Sequence, residues 1–545
     1  MSSSSTGSPP ARRLPLSGVL RLGRPSDIWF KPALSVVAAV APPNLTLVAL
    51  DRLDLAMYTM AGSLCALYAH NRPYAARARV LVLVVLGMLA GLGAALVTAS
   101  LTSNGIVLVT VGALLAAAQK ALCDATRIGP PGNVIFTFVA SAALFVPQTL
   151  DQVPGHLALA AAAGVWSWIV GMAPALLRPH GPERRATAHA LYAAAAHAET
   201  REPAARSRAA AAVQTAWQTL LASGARPETR RALERLVVRA EVALAAPADA
   251  DPEGLRDLAG GLRGTGAVPR AGDLGEAAGE VLGAEMERAT PAPPWWRALG
   301  PLAPIAVRTA LGCALAGYAS LVIGVGRPYW ALVTAASLYQ VNMALTWNRT
   351  VQRVVGNLVG VLVFAAVAPL AHLSPLAIVL CCLAFNFGAE ALISRNYWLG
   401  SVCVTPMALL ITEFGHVQGA GELITDRILD TLVGALVGFV AAVAVTNRRA
   451  GDRLEKALTA VERAREHAAR TLADTSAAPG ALEAARRGLA AALVDLRATA
   501  DAAAGEWWQR ALPEERVMST EQAGHRTLAA TVRQRRQHTA EGAEA

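Results

Sequence analysis

The chain has 545 residues, 54% of them apolar and 16% charged, with a mean hydropathy of +0.39. Soluble globular chains carry roughly 25% charged residues, so this balance points to lipid rather than to three or four soluble domains. The 5% aromatic content and the aperiodic glycine and proline exclude collagen-like and wholly disordered readings. Only Lys31, Lys120 and Lys456 are lysines among the 49 basic residues, and none follows a glycine, so the Gly-Lys-Ser/Thr phosphate anchor of P-loop ATPases is missing. This chain alone is not an ABC-type pump.

In chain order, residues 1–31 read as a flexible basic leader with a Ser run and Arg12, Arg13, Arg21 and Arg24, ending at Trp29, Phe30 and Lys31. Six apolar segments follow within 32–178: Ala33 to Leu50, Leu55 to Ala69, Val80 to Ala99, Ile106 to Ala118, Asn133 to Pro147 and Leu157 to Leu177. Several fall short of the ~20 residues that a straight span needs. Pro42 and Pro43 interrupt the first, which predicts either a kink whose freed backbone groups a neighbouring helix satisfies, or a helix end at the interface. Residues 179–298 turn to Ala, Arg and Glu, with Leu233, Leu236, Val237, Ala240 and Leu244 on one helical face, and read as a cytoplasmic helical domain interrupted by a Gly-rich stretch from Gly254 to Gly283. Trp295 and Trp296 lead back to the membrane.

Within 299–447 six further segments appear: Ile305 to Gly324, Trp330 to Thr346, Val354 to Ala371, Pro375 to Ile393, Trp398 to Phe414 and Ile428 to Thr446. Residues 448–545 return to soluble helix, with amphipathic stretches at Asp452 to Thr475 and Ala481 to Ala504, and Trp507 and Trp508 beyond. The expected fold is therefore all-α and polytopic, two six-helix transmembrane bundles each followed by a cytoplasmic helical domain.

The net charge of +10 fits nucleic acid, anionic lipid or a positive cytoplasmic face. Loops after even-numbered spans carry Arg72, Arg77, Arg79, Lys120, Arg127, Arg349, Arg353 and Arg395, whereas the odd-numbered loops carry only Arg52, Arg327 and Arg427. By the positive-inside rule both termini and both soluble domains are cytoplasmic, in the inner membrane, and no nucleic-acid partner is expected. The six cysteines lie in or beside apolar runs without ligand spacing, so neither a metal nor another cofactor is expected. The ten histidines are scattered, His189 and His197 in soluble helix and His372 and His416 in outer loops, and no catalytic motif occurs, so enzyme chemistry is not expected.

The second bundle contains Arg327-Pro-Tyr-Trp-Ala-Leu-Val-Thr, then Asn348-Arg-Thr-Val-Gln-Arg-Val-Val-Gly-Asn-Leu-Val-Gly, and closes with Asp426-Arg-Ile-Leu-Asp-Thr-Leu-Val-Gly. These stretches resemble the fusaric acid resistance protein-like integral membrane family over roughly Ala303 to Arg449. The first half is similar only in outline, with Arg77, Arg79 and Gly87 near the R-x-x-x-R-x-x-G position. The resemblance implies an inner-membrane transporter for aromatic acids or toxic compounds, with a fold related in outline to aluminium-activated malate channels.

The motif residues carry the site expectations. Arg349 and Arg353, spaced i, i+4, form either an anion-attracting mouth or an anchor to lipid headgroups. Gly356 and Gly360 form a small-residue strip for close helix packing, with Asn357 between them. Tyr329 and Trp330 either stack an aromatic substrate or anchor at the interface. Gln340, Asn342, Asn386, Glu390 and Asp430 are polar positions inside spans, where polarity is costly and marks a path by default. Glu390 has an ion pair with Arg395 as its plain structural alternative, and Asp430 either titrates in a proton-coupled cycle or pairs with Arg427. The leading expectation is a secondary transporter exporting small organic anions. An anion channel and a non-transporting membrane scaffold are the alternatives. The lipid bilayer is the expected partner, and long cytoplasmic helices beside the small-residue strip are compatible with a homodimer.

Overall fold

The computed structural model describes residues 16–23, 25, 28–223, 227–245, 247–264, 266–269, 299–340, 342–414, 419–444, 450–474, 480–504 and 514–544. Arg12, Arg13, Arg24, Trp295, Trp296, His416, Trp507 and Trp508 lie outside them. Every regular element among the described residues is helical.

The first membrane half comprises α1 (Phe30–Ala49), α2 (Ala56–Ser63, lengthened by 3-10 turns to Leu53–Leu67), α3 (Tyr74–Leu101), α4 (Gly105–Ala125), α5 (Val134–Leu144) and α6 (Val153–Met172), followed by the single turn α7 (Pro174–Leu177). Helices α8 (Gly181–Thr200), α9 (Pro203–Leu221), α10 (Pro227–Ala245) and α11 (Pro252–Gly261) come next. The second membrane half is α12 (Leu299–Ile323), α13 (Tyr329–Leu338), α14 (Met343–Ala371), α15 (Pro375–Ile393), α16 (Tyr397–Thr412) and α17 (Ala420–Ala444), and the chain closes with α18 (Ala450–Ala473), α19 (Ala481–Ala504) and α20 (Glu514–Glu544).

All twelve apolar segments are helical, but only eight helices among the described residues have the length and composition to cross a bilayer. The second and fifth of each half (α2, α5, α13, α16) are short. At 1.5 Å per residue the ten residues of α13 reach about 15 Å, half of a ~30 Å hydrocarbon core. Local chemistry sets these ends. Ahead of α5, Pro130 and Pro131 lack the donors that a helix needs, and Gly129 and Gly132 have φ of 82° and 66°. α16 begins where Asn396 caps Trp398 N, and α13 ends as Tyr339 turns extended.

The order long, short, long, long, short, long repeats, and the halves pack reciprocally: α1 lies on α15 and α4 lies on α12. The duplication can be registered by contacts. In the first half Ser167 Oγ donates to Ser63 O at 2.9 Å and Trp168 Nε1 donates to Ala78 O at 3.1 Å. In the second, Gly438 approaches Ala335 and Phe439 lies 5.2 Å from Trp347, ring to ring. Aligning those pairs sets Gly87 and Gly91 against Gly356 and Gly360, Val80 and Val84 against Arg349 and Arg353, Tyr58 against Trp330, and His156 against Arg427. That register sets valines against the second-half arginines and leaves Arg77, itself buried, one turn nearer the start of α3.

In α1 both prolines lie inside the helix. Pro42 has no N–H for Ala38 O, and the freed carbonyl accepts from Trp166 Nε1 of α6 at 3.0 Å, the repair by a neighbouring helix that proline at bilayer depth requires. The leader, read from sequence as flexible, is seated over 16–23, where Val19 is buried. The Gly-rich region is in part helical, as α11, and a third C-terminal helix, α20, follows the two expected ones.

Helices α8 to α11 close around Leu191, Trp217, Leu220, Leu233 and Leu236. Helices α18 to α20 close around Leu458, Val461, Leu489 and Leu496. Buried Arg486 joins the two cores by donating to Glu241 Oε2 at 3.1 Å, and Arg487 lies 5.1 Å over Trp217. His197 is buried in this layer while His189 is exposed, so the two histidines do not share a solvated face.

Candidate functional site

The four short helices stop on one side of the molecule, and the space they leave is a cavity of about 1380 Å³. Its wall includes the segment after α2 (Ala69 to Arg72), the segment before α5 (Arg127 to Asn133), Tyr339 and Gln340 after α13, and Ser394 to Tyr397 at α16. Nine basic side chains line it against two carboxylates, Asp124 and Glu390, and Asp124 is already paired with Lys120 at 2.8 Å.

At its deep end Arg427 is 1% exposed, seven residues into α17 rather than in a loop. Its guanidinium carbon sits 3.9 Å over the Trp330 ring, a cation–π contact worth about 2 kcal/mol or more when desolvated. Nη2 donates to Asn357 Oδ1 at 3.4 Å, whereas Nε and Nη1 have no hydrogen-bond partner. Asn357 is held in turn: its Nδ2 donates to Thr431 Oγ1 at 3.1 Å and its Oδ1 also accepts from the Thr405 hydroxyl, so one amide ties α14 to α16 and α17. Close approach of these helices needs the flanking glycines. A Cβ on Gly356 would stand 2.5 Å from Ser401 Cβ, and one on Gly360 would stand 2.7 Å from Thr405 Cβ.

Nearer the mouth, Arg353 Nη1 donates to Tyr397 Oη at 3.1 Å, and the Arg349 guanidinium lies 3.8 Å over the Tyr397 ring. Arg353 is 4% exposed and its Nε has no partner. Among the described residues no carboxylate lies within ion-pair distance of Arg349, Arg353 or Arg427. Arg353 and Arg427 are buried without an opposite charge, which costs several kcal/mol each, and the part-buried Arg349 lies beside them.

The other expected path residues divide. Gln340, Asn386 and Glu390 line the cavity, although Asn386 Nδ2 is spent on Cys382 O at 2.9 Å, and Glu390 makes no ion pair with Arg395. Asn342 and Asp430 do not line it. Asn342 caps α14 by accepting from Leu345 N at 2.9 Å. Asp430, fully buried, accepts from Ser320 Oγ at 2.5 Å and does not ion-pair with Arg427. Tyr329 and Trp330, at 5% and 1% exposure, are not interfacial anchors: they pack on Phe145 and Phe138 of α5, between the cavity and the opposite side. Sequence reasoning missed Arg427 and Tyr397. Arg427 stood in view as the arginine of R-x-x-D-T but was counted as a loop charge; Tyr397 had no periodic or motif signal.

Arg349, Arg353 and Arg427 thus fall within the motif stretches of the second half. Residues 314–441 match the family described as fusaric acid resistance protein-like. The Uncharacterized membrane protein YvaC of Bacillus subtilis (strain 168) is 32% identical over 139 residues. That similarity covers 25% of this chain and 22% of YvaC, so the chain spans about a fifth of the curated relative it matches. No solved structure matches. The chain is a multi-pass integral membrane protein whose second half is similar to the fusaric acid resistance protein-like family; the arginine–aromatic cluster belongs to that half, and both halves line the cavity.

Proposed function

We propose that this protein is a secondary transporter that carries small organic anions, aromatic carboxylates in particular, out of the cytoplasm across the inner membrane. The observation that carries the reading is the trio Arg349, Arg353 and Arg427, without carboxylate partners, held against Tyr397 and Trp330 in a cavity on the basic side of the bundle. A guanidinium fork takes a carboxylate bidentately, and the aromatic rings beneath the guanidinium groups give the site an apolar floor that suits an aromatic acid. The positive-inside rule assigns the cavity end, with its basic rim, to the cytoplasm, so the anion loads from inside. Because no P-loop lysine exists, the driving force is an ion gradient or the membrane potential.

A channel is the second reading, favoured by the strongly basic lining. The packed plug of Tyr329, Trp330, Phe138 and Phe145 opposes a standing pore and favours a carrier or a gated path. Uptake of a labelled benzoate-type acid into proteoliposomes separates the readings. Saturable flux that responds to a pH gradient supports the carrier, voltage-driven current without saturation supports the channel, and absence of both overturns transport.

A further inference from the structure

We infer that residues 16–23 are a strap seated on the rim of the cavity, and that its release widens the entrance. The segment is held by its backbone. Val19 O accepts from Gln352 Nε2 at 2.9 Å and from Asn396 Nδ2 at 3.0 Å, Arg21 O accepts from Asn396 Nδ2 at 3.0 Å, and Leu20 O accepts from Trp398 Nε1 at 3.2 Å. Gly23 N donates to Arg395 O at 2.8 Å. The seat is shaped for this peptide: Gly18 has φ +88°, Val19 is buried, and a Cβ on Gly23 would stand 3.0 Å from Arg395 O.

The strap's partners alternate with the anion-binding groups. Gln352 precedes Arg353 on α14, and Asn396 and Trp398 flank Tyr397 at the start of α16. Gln352 and Asn396 also line the cavity, so the carbonyls of Val19 and Arg21 occupy amide donors that face the entering anion. Beyond the strap the chain reaches Ile28 and Trp29, which form part of the cavity wall before α1 begins. A seated strap therefore caps two neutral donors and fixes one wall; a lifted strap frees both.

Cysteine labelling on the full-length protein tests this without depending on the proposed anion. Cys123 lines the cavity, whereas Cys313 is wholly buried and does not. With Gly23→Val, and separately with Val19→Asp, the rate of Cys123 modification by a maleimide rises about tenfold while Cys313 is unchanged, because several hydrogen bonds worth a few-fold each are lost. Gln352→Ala, which removes a single donor, gives a smaller rise of about threefold. An unchanged Cys123 rate overturns the strap. So does a parallel rise at Cys313, since it marks a structural brace whose loss loosens the whole bundle. If labelling responds while no variant transports benzoate, the strap stands and the anion reading falls.

Discussion

At matching positions of α3 and α14 the first membrane half has Val80 and Val84 where the second has Arg349 and Arg353, while glycines recur at 87 and 91 as at 356 and 360. The same substitution pattern appears on the sixth helix of each half. Arg427 stacked on Trp330 is matched by His156 stacked on Tyr58 at 3.8 Å, with the rings within 10° of parallel. Gly87 and Gly356 each face the fifth helix of their own half, at Phe136 and Ser401, whereas Gly91 faces Gln119 of α4; Val84 is fully buried in the first half with no charge to satisfy. A position that the fold fills with valine at no cost is filled in the second half by a group whose burial costs several kcal/mol. Under the proposed function that cost is offset by the anion the residue binds.

The comparison predicts unequal responses to matched substitutions. The largest is at the sixth helices: Arg427→Met lowers benzoate-type transport about 10- to 100-fold, the loss of one charge-assisted contact, while His156→Gln changes it by less than about twofold. Initial rates in proteoliposomes, normalised to folded protein by size exclusion, measure both, and equal effects would make the halves functionally equivalent. Next, Arg353→Ala reduces transport about tenfold without reducing membrane insertion, whereas Val84→Arg leaves an unpaired buried charge and lowers the melting temperature instead. An unchanged rate in Arg353→Ala would leave this residue a structural partner of Tyr397.

Smaller differences sharpen the packing side. Gly356→Ala drives a methyl into Ser401 and the Trp398 carbonyl and destabilises by about 1–3 kcal/mol, whereas Gly87→Ala meets only the movable Phe136 ring, at 3.2 Å, and costs less than about 1 kcal/mol. Thermal unfolding in detergent ranks the two. The smallest effect is on selectivity: Trp330→Phe weakens preference for aromatic over aliphatic acids by about two- to threefold, and Tyr58→Phe leaves it unchanged, as read by competition in the same flux assay.

Much of the helical fold was legible because hydrophobic runs are properties of consecutive residues. Helix α19 has the predicted bounds, Ala481–Ala504. The four short helices were legible only as segments below ~20 residues; how short they are depends on local stops such as Pro130, Asn396 and Tyr339. The site was partly legible. Arg349, Arg353, Trp330, Gln340, Asn386 and Glu390 reach one cavity, but Asn342 turned out to be a helix cap and Asp430 a partner of Ser320.

By itself the sequence determined an all-helical membrane protein and a motif with paired arginines, because composition, period and spacing are one-dimensional. Only the tertiary structure decided which arginines lack a carboxylate, which rings they stack on and where the short helices leave room. Those depend on distances between α13, α14, α16 and α17, segments separated by tens of residues, and a burial cost of several kcal/mol is invisible until the neighbours of each charge are in place.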